Sequence, residues 1–142
     1  MRQHNMPSDV EEAFADFPVA PRAALLSVRE AIFQVAASNP VIGSVHETLK
    51  WGEPAYLTPE TKSGSTIRLA WKPAQPDMCG IYLSCNTTLI SKMRDIYPGS
   101  FSFQGNRAAL FPSEVMPPVD VLGHCIEMAL TYHSAKKRTA TV

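Results

Sequence analysis

Between residues 66 and 72 apolar and polar side chains alternate. Ile67, Leu69 and Trp71 fall on one side, and Arg68, Ala70 and Lys72 on the other. A period of two predicts a strand with one face buried and one open, as in an antiparallel sheet. The run 79–85 repeats the pattern, with Cys79, Ile81 and Leu83 on the buried side and Gly80, Tyr82 and Ser84 on the other. Residues 101–103 and 108–111 predict two further strands around a tight turn at Gln104-Gly105-Asn106. Residues 54–57 predict a short strand, followed by a polar loop over 58–64, and residues 73–77 hold a proline-marked turn.

Elsewhere the period is helical. Ser8-Asp9-Val10-Glu11 reads as a capping box for a helix over 8–17. Pro21 suits the first turn of a second helix over 21–38, with Leu25, Val28, Ile32, Val35 and Ala36 on its buried face. A short helix is predicted over 42–50, stopped by Trp51-Gly52. Asn86 is placed to cap a helix over 87–97, with Leu89, Met93 and Ile96 inward. Pro117-Pro118 opens the last helix, whose inner stripe is Val119, Leu122, Ile126, Ala129, Leu130 and His133. Helices, then strands with an inserted helix, then a closing helix predict an α+β fold: a single domain over 8–135 with helices mainly on one face of an antiparallel sheet. Residues 1–7 read as a flexible start and 136–142 as a basic frayed tail.

Length agrees with one domain, since 142 residues lie near the commonest domain size. Lys+Arg and Asp+Glu are each 13, giving a net charge of zero. That balance argues against a nucleic-acid partner, which would call for clustered positive charge. Charged residues are 18% of the chain, against roughly 25% in an average domain, and the lightly charged surface favours a homodimer. No long apolar run and no apolar leader are seen, so the expectation is a cytoplasmic protein with no membrane partner. Cys79, Cys85 and Cys125 have no disulfide or metal spacing and read as free, buried thiols.

The segment Glu47-Thr48-Leu49-Lys50-Trp51-Gly52-Glu53-Pro54-Ala55-Tyr56 resembles the signature of the YdhG-like family of small bacterial proteins of unknown function. That signature is an acidic helix end, then Trp-Gly-X-Pro, then an aromatic residue. The order of later features is similar: a strand before a helix, the Gln104-Gly105-Asn106-Arg107 entry, and the Pro-Pro-Val-Asp-Val-Leu start of the last helix. Gln104 stands where the family often has lysine. The resemblance implies an α+β fold and a cytoplasmic location, and no established reaction. Some relatives are described as frataxin-like iron chaperones.

Two constellations offer chemistry. In the first, Gly52 and Pro54 make a rigid corner that holds Trp51, Glu53 and Tyr56 around one space, whose aromatic walls and one carboxylate suit a small organic ligand, a cationic one included. In the second, Arg68, Lys72 and Tyr82 share the outer sheet face if their strands are neighbours, and Arg107 joins them. Iron enters only through the carboxylate row Asp9, Glu12 and Asp16, spaced along one helix face. The histidines, His46, His124 and His133 on separate helices and His4 near the start, have no ligand spacing. No familiar catalytic motif appears. The sequence therefore favours a non-enzymatic binding domain for a small molecule. An iron chaperone or a self-associating module are the alternatives.

Overall fold

The computed structural model describes residues 5–135. The basic tail and the first four residues, His4 included, lie outside that range. Two helices come first, α1 (Ser8–Ala15) and α2 (Val19–Ser38). Four strands follow: β1 (His46–Lys50), β2 (Glu53–Leu57), β3 (Ile67–Ala70) and β4 (Met78–Tyr82). Then come α3 (Leu89–Ile96), β5 (Ser102–Gln104), β6 (Ala108–Pro112) and α4 (Val119–Leu130). The six strands form one sheet in the order β1-β2-β3-β4-β6-β5, with every neighbouring pair antiparallel. The α+β fold read from the sequence is the fold observed.

One face of this sheet carries the core. Val10 and Phe14 of α1, Leu25, Val28 and Ile32 of α2, Met93 of α3 and Ile126 of α4 pack with Tyr56, Ile67, Leu69, Cys79, Ile81 and Phe111. Each is almost fully withdrawn from water. Burial of an aliphatic or aromatic side chain stabilises by about 1.5–3 kcal/mol, so this layer carries most of the fold. The opposite face has a small cluster of its own, Ala70, Tyr82, Ala108 and Leu110, edged by Met78. Gly80 is part of that arrangement: a Cβ there would stand 2.5 Å from the Tyr82 ring, so its absence lets the ring lie along the strand.

Several local expectations are corrected. Residues 42–50 do not form a helix. Gly43 takes φ +72 and breaks any helix there. Glu47 and Leu49 then alternate with His46, Thr48 and Lys50 in strand β1, which places His46 on a strand and not a helix. The capping box is not formed, because Pro7 occupies the cap position of α1 with no side-chain bond. The Glu11 N–H instead donates to the Pro7 carbonyl at 2.9 Å. Thr88 precedes α3 in place of Asn86, whose N–H is turned to Ser84 Oγ at 3.2 Å. Ile96, Val119 and His133 are exposed. The first two sit at helix ends clear of the core and the third lies beyond α4, and Cys125 fills the inner stripe of α4 instead.

Cys79, Cys85 and Cys125 are free thiols. Burial pushes the Cys79 thiol up to about 11 and the Cys125 thiol up to about 12. Cys85 lies past the end of β4 and is exposed, against its expected burial.

The C-terminal end of α4 is latched to the loop between β2 and β3. Ser63 Oγ donates to the Leu130 carbonyl and the Ser65 N–H to the Ala129 carbonyl, both at 2.8 Å. The His133 N–H returns a bond to the Ser63 carbonyl at 2.8 Å. The first two bonds satisfy carbonyls that a helix end leaves without intrahelical partners. Gly64 makes the approach close, since a Cβ there would lie 2.7 Å from Leu130 Cα.

Candidate functional site

The Trp-Gly segment is the connection of the β1–β2 hairpin. Lys50 pairs with Glu53 in register, leaving Trp51 and Gly52 as a two-residue turn. Their φ values, +57 and +74, are both positive, as a type I′ turn requires. Glycine accepts that conformation freely. For a bulky residue such as tryptophan it is strained. The Trp51 ring is 88% exposed and fills no core. Trp51→Asn is therefore expected to raise stability by about 1 kcal/mol, because Asn-Gly is the favoured pair for this turn. Urea denaturation checks this, and a lower midpoint in the variant would show that the ring packs.

The corner does not close around one space. Strand β2 begins at Glu53, so Glu53 and Tyr56, three residues apart, point to opposite faces. Tyr56 goes to the helix side and is fully buried. Its hydroxyl donates to Glu47 Oε2 at 2.8 Å. Glu47 also accepts two bonds from Arg29 of α2, at 2.6 and 2.9 Å, in a fork. Phe33 stacks on this group, with the Arg29 guanidinium 5.0 Å from its ring centre. The hydrogen bond from Arg29 to Glu47 raises the Arg29 pKa against the opposing effect of burial. Burial, with the Glu47 carboxylate beside it, pushes the Tyr56 phenol up. This is a sealed internal network that ties β1 and β2 to α2, and it removes Tyr56 from the ligand-facing residues.

The second constellation is brought together. Arg68 and Tyr82 are direct partners across β3 and β4. The Arg68 guanidinium sits 5.5 Å and the Lys72 ammonium 5.4 Å from the Tyr82 ring centre. Glu53 is held by two cations. Its carboxylate accepts from Arg68 and, at 2.9 Å, from Lys72. Arg107 flanks the same region. A cleft of about 510 Å³ is lined by Lys50, Trp51, Thr66, Arg68, Ser84 and Arg107, with Leu83 and Cys85 completing its wall. A second, of about 520 Å³, runs from Lys72 and Tyr82 past Gln75 to Gln104 and Arg107, so the two meet at Arg107.

The electrostatics of this face are one-sided. Lys50, Arg68, Lys72 and Arg107 line the two clefts, and Glu53, across from Lys50 in the hairpin, is taken up by Arg68 and Lys72. Among the described residues Lys50 and Arg107 have no carboxylate within salt-bridge distance. The zero net charge of the chain thus hides a local cationic patch. Sequence reasoning missed Lys50, whose place beside Glu53 follows once Trp51-Gly52 is read as a hairpin turn.

Metal chemistry finds no matching geometry. Asp9, Glu12 and Asp16 are exposed on and just past α1. Among the described residues no group of three or more His, Cys, Asp or Glu side chains could hold a metal ion. His124 is engaged with the Tyr97 hydroxyl at 2.6 Å. No described helix is long and apolar enough to cross a membrane.

Comparison of the chain with protein-family models, curated proteins and solved structures gave no match. The likeness to the YdhG-like family accordingly stands on the Trp-Gly-X-Pro segment and the order of elements in this sequence.

Proposed function

We propose that this protein binds a small organic anion on the open face of its sheet, between the Trp51-Gly52 turn and Arg107. One observation carries the reading: Lys50 and Arg107, cations without carboxylate partners among the described residues, line one cleft with Arg68. An unpaired guanidinium on a cleft wall is a ready partner for carboxylate or phosphate, with two parallel N–H donors. The cleft volume, about 510 Å³, lies within the usual range for small-molecule sites. Glu53 holds Arg68 and Lys72 in place, so the cationic surface is organised before a ligand arrives. Among the described residues no histidine or carboxylate lines the cleft beside Ser84 or Cys85 to activate them as nucleophiles, which favours binding over covalent chemistry.

The test is calorimetric titration with pyrophosphate, tripolyphosphate and citrate. At least one should bind, and Arg107→Ala should weaken it by about tenfold, the loss of one charge-assisted contact of about 1.4 kcal/mol. Lys92→Ala, which alters an exposed cation on α3, should leave binding unchanged. Absence of binding by all three anions, or an Arg107→Ala variant equal to the parent, overturns the reading.

A further inference from the structure

Trp51 is the feature that anion binding alone leaves without a purpose. Its ring stands 88% exposed at the tip of a turn, in a backbone conformation that favours glycine or asparagine. It belongs to neither of the two apolar clusters of the fold. Turn geometry gives no reason for tryptophan here, and core packing gives none. Trp51 does line the cleft, whose wall it shares with Lys50, Arg68 and Arg107.

From this juxtaposition we infer that the ligand is a nucleoside phosphate, with its base stacked on Trp51 and its phosphates held by Arg107, Arg68 and Lys50. This rests on the anion-binding reading above and narrows its ligand class. The chemistry selects the class in two steps. Lys50 and Arg107, with Arg68 between them held by Glu53, match several negative charges on one ligand, as a phosphate chain supplies, better than a single carboxylate. An exposed indole beside them offers a flat, polarisable surface, on which a heterocyclic base stacks whatever its sequence identity. A fatty acid or other long apolar anion would call for a tunnel with apolar walls, whereas this cleft is open and edged by Thr66, Ser84 and the cations. A free nucleotide is favoured over a nucleic-acid strand. The cleft has the volume of a small-molecule site, and the chain has no net positive charge to track a phosphate backbone.

Calorimetry with adenosine triphosphate, tripolyphosphate, adenosine and an eight-residue oligothymidylate decides the matter. In the parent protein, adenosine triphosphate should bind at least tenfold more tightly than tripolyphosphate, and adenosine should bind more weakly than either. Trp51→Asn, which suits the turn and keeps the hairpin, should bring adenosine triphosphate down to the tripolyphosphate level without changing tripolyphosphate. Equal affinity for the two phosphates in the parent, or an unchanged ratio in the variant, overturns the stacking inference while anion binding stands. Failure of both phosphates to bind overturns the inference, and the reading beneath it falls as well when pyrophosphate and citrate also fail. Tighter binding of the oligothymidylate than of adenosine triphosphate overturns the assignment to a free nucleotide.

Discussion

Replacing Glu47 by alanine should cost about 3–5 kcal/mol of folding stability, the range expected when one member of a buried ion pair is removed. Its carboxylate is 4% exposed and faces an Arg29 side chain that is 6% exposed. Without it, the Arg29 guanidinium loses both bonds of the fork and the Tyr56 hydroxyl loses its acceptor. Both donors then sit in the core, away from water, with that partner gone. A urea midpoint measures the loss. Two companion variants separate the causes. Tyr56→Phe removes one bond and leaves the charged pair intact, so its cost should be about 1 kcal/mol. Arg29→Met with Glu47→Leu removes both charges and should recover most of what Glu47→Ala loses, because apolar replacements of similar volume satisfy a buried site. A Glu47→Ala variant within about 1 kcal/mol of the parent would show that water reaches this network.

Alkaline pH should destabilise the protein by a similar amount. In the unfolded chain the Cys79 and Cys125 thiols release their protons around their ordinary value of 9.0, while in the folded protein they hold them to about 11 and 12. Above pH 9 the unfolded state therefore binds fewer protons than the folded state, and stability falls as pH rises. The contribution is fully present below pH 9 and is lost through the window up to 12. At pH 10.5 the two thiols together account for about 4 kcal/mol. Tyr56, whose phenol is also pushed up by burial, acts in the same direction above its ordinary value of 10.0. Urea denaturation at pH 8 and pH 10.5 should show a clear drop in midpoint, and Cys79→Ala with Cys125→Ala should narrow the difference between the two. An unchanged midpoint in the parent would mean that both thiols meet solvent.

How much was legible in the sequence depends on how many neighbours each segment answers to. Strand β3 lies inside the sheet, and its residues alternate between Ile67 and Leu69 on the helix side and Arg68 on the other, so its period is plain, while β4 and β6 are buried on both faces and show it less. That alternation alone placed Arg68, Lys72 and Tyr82 on one face. Strand β1 is an edge with partial burial, and its Glu47-Thr48-Leu49-Lys50 run shows no period that separates strand from helix. Because it read as a helix, Trp51-Gly52 read as a helix stop, and the turn that brings Lys50 beside Glu53 went unseen. The Tyr56 error has a smaller cause: starting β2 at Pro54 hid the odd spacing that sets Glu53 and Tyr56 on opposite faces. Arg29 carried no signal at all, since a charged residue on a helix is ordinarily a solvated one and only the register of β1 reveals its partner.

The latch between the β2–β3 loop and α4 has a consequence for the order in which the chain can be finished during synthesis. Ser63 and Ser65 are buried, and they find the Leu130 and Ala129 carbonyls only in a helix encoded after every strand of the sheet. While a ribosome is still extending the chain toward Leu130, this loop has made its turn but has nothing to close against, and its polar groups must stay in water. The hairpins of β1 to β4 can pair early, being neighbours in sequence as well as in space. Helices α1 and α2 are made before the strands, but the cover is completed only when α4 emerges, so the nascent protein passes through a stage in which the apolar side chains that meet Leu122, Ile126 and Leu130 are open to chaperones and to other chains.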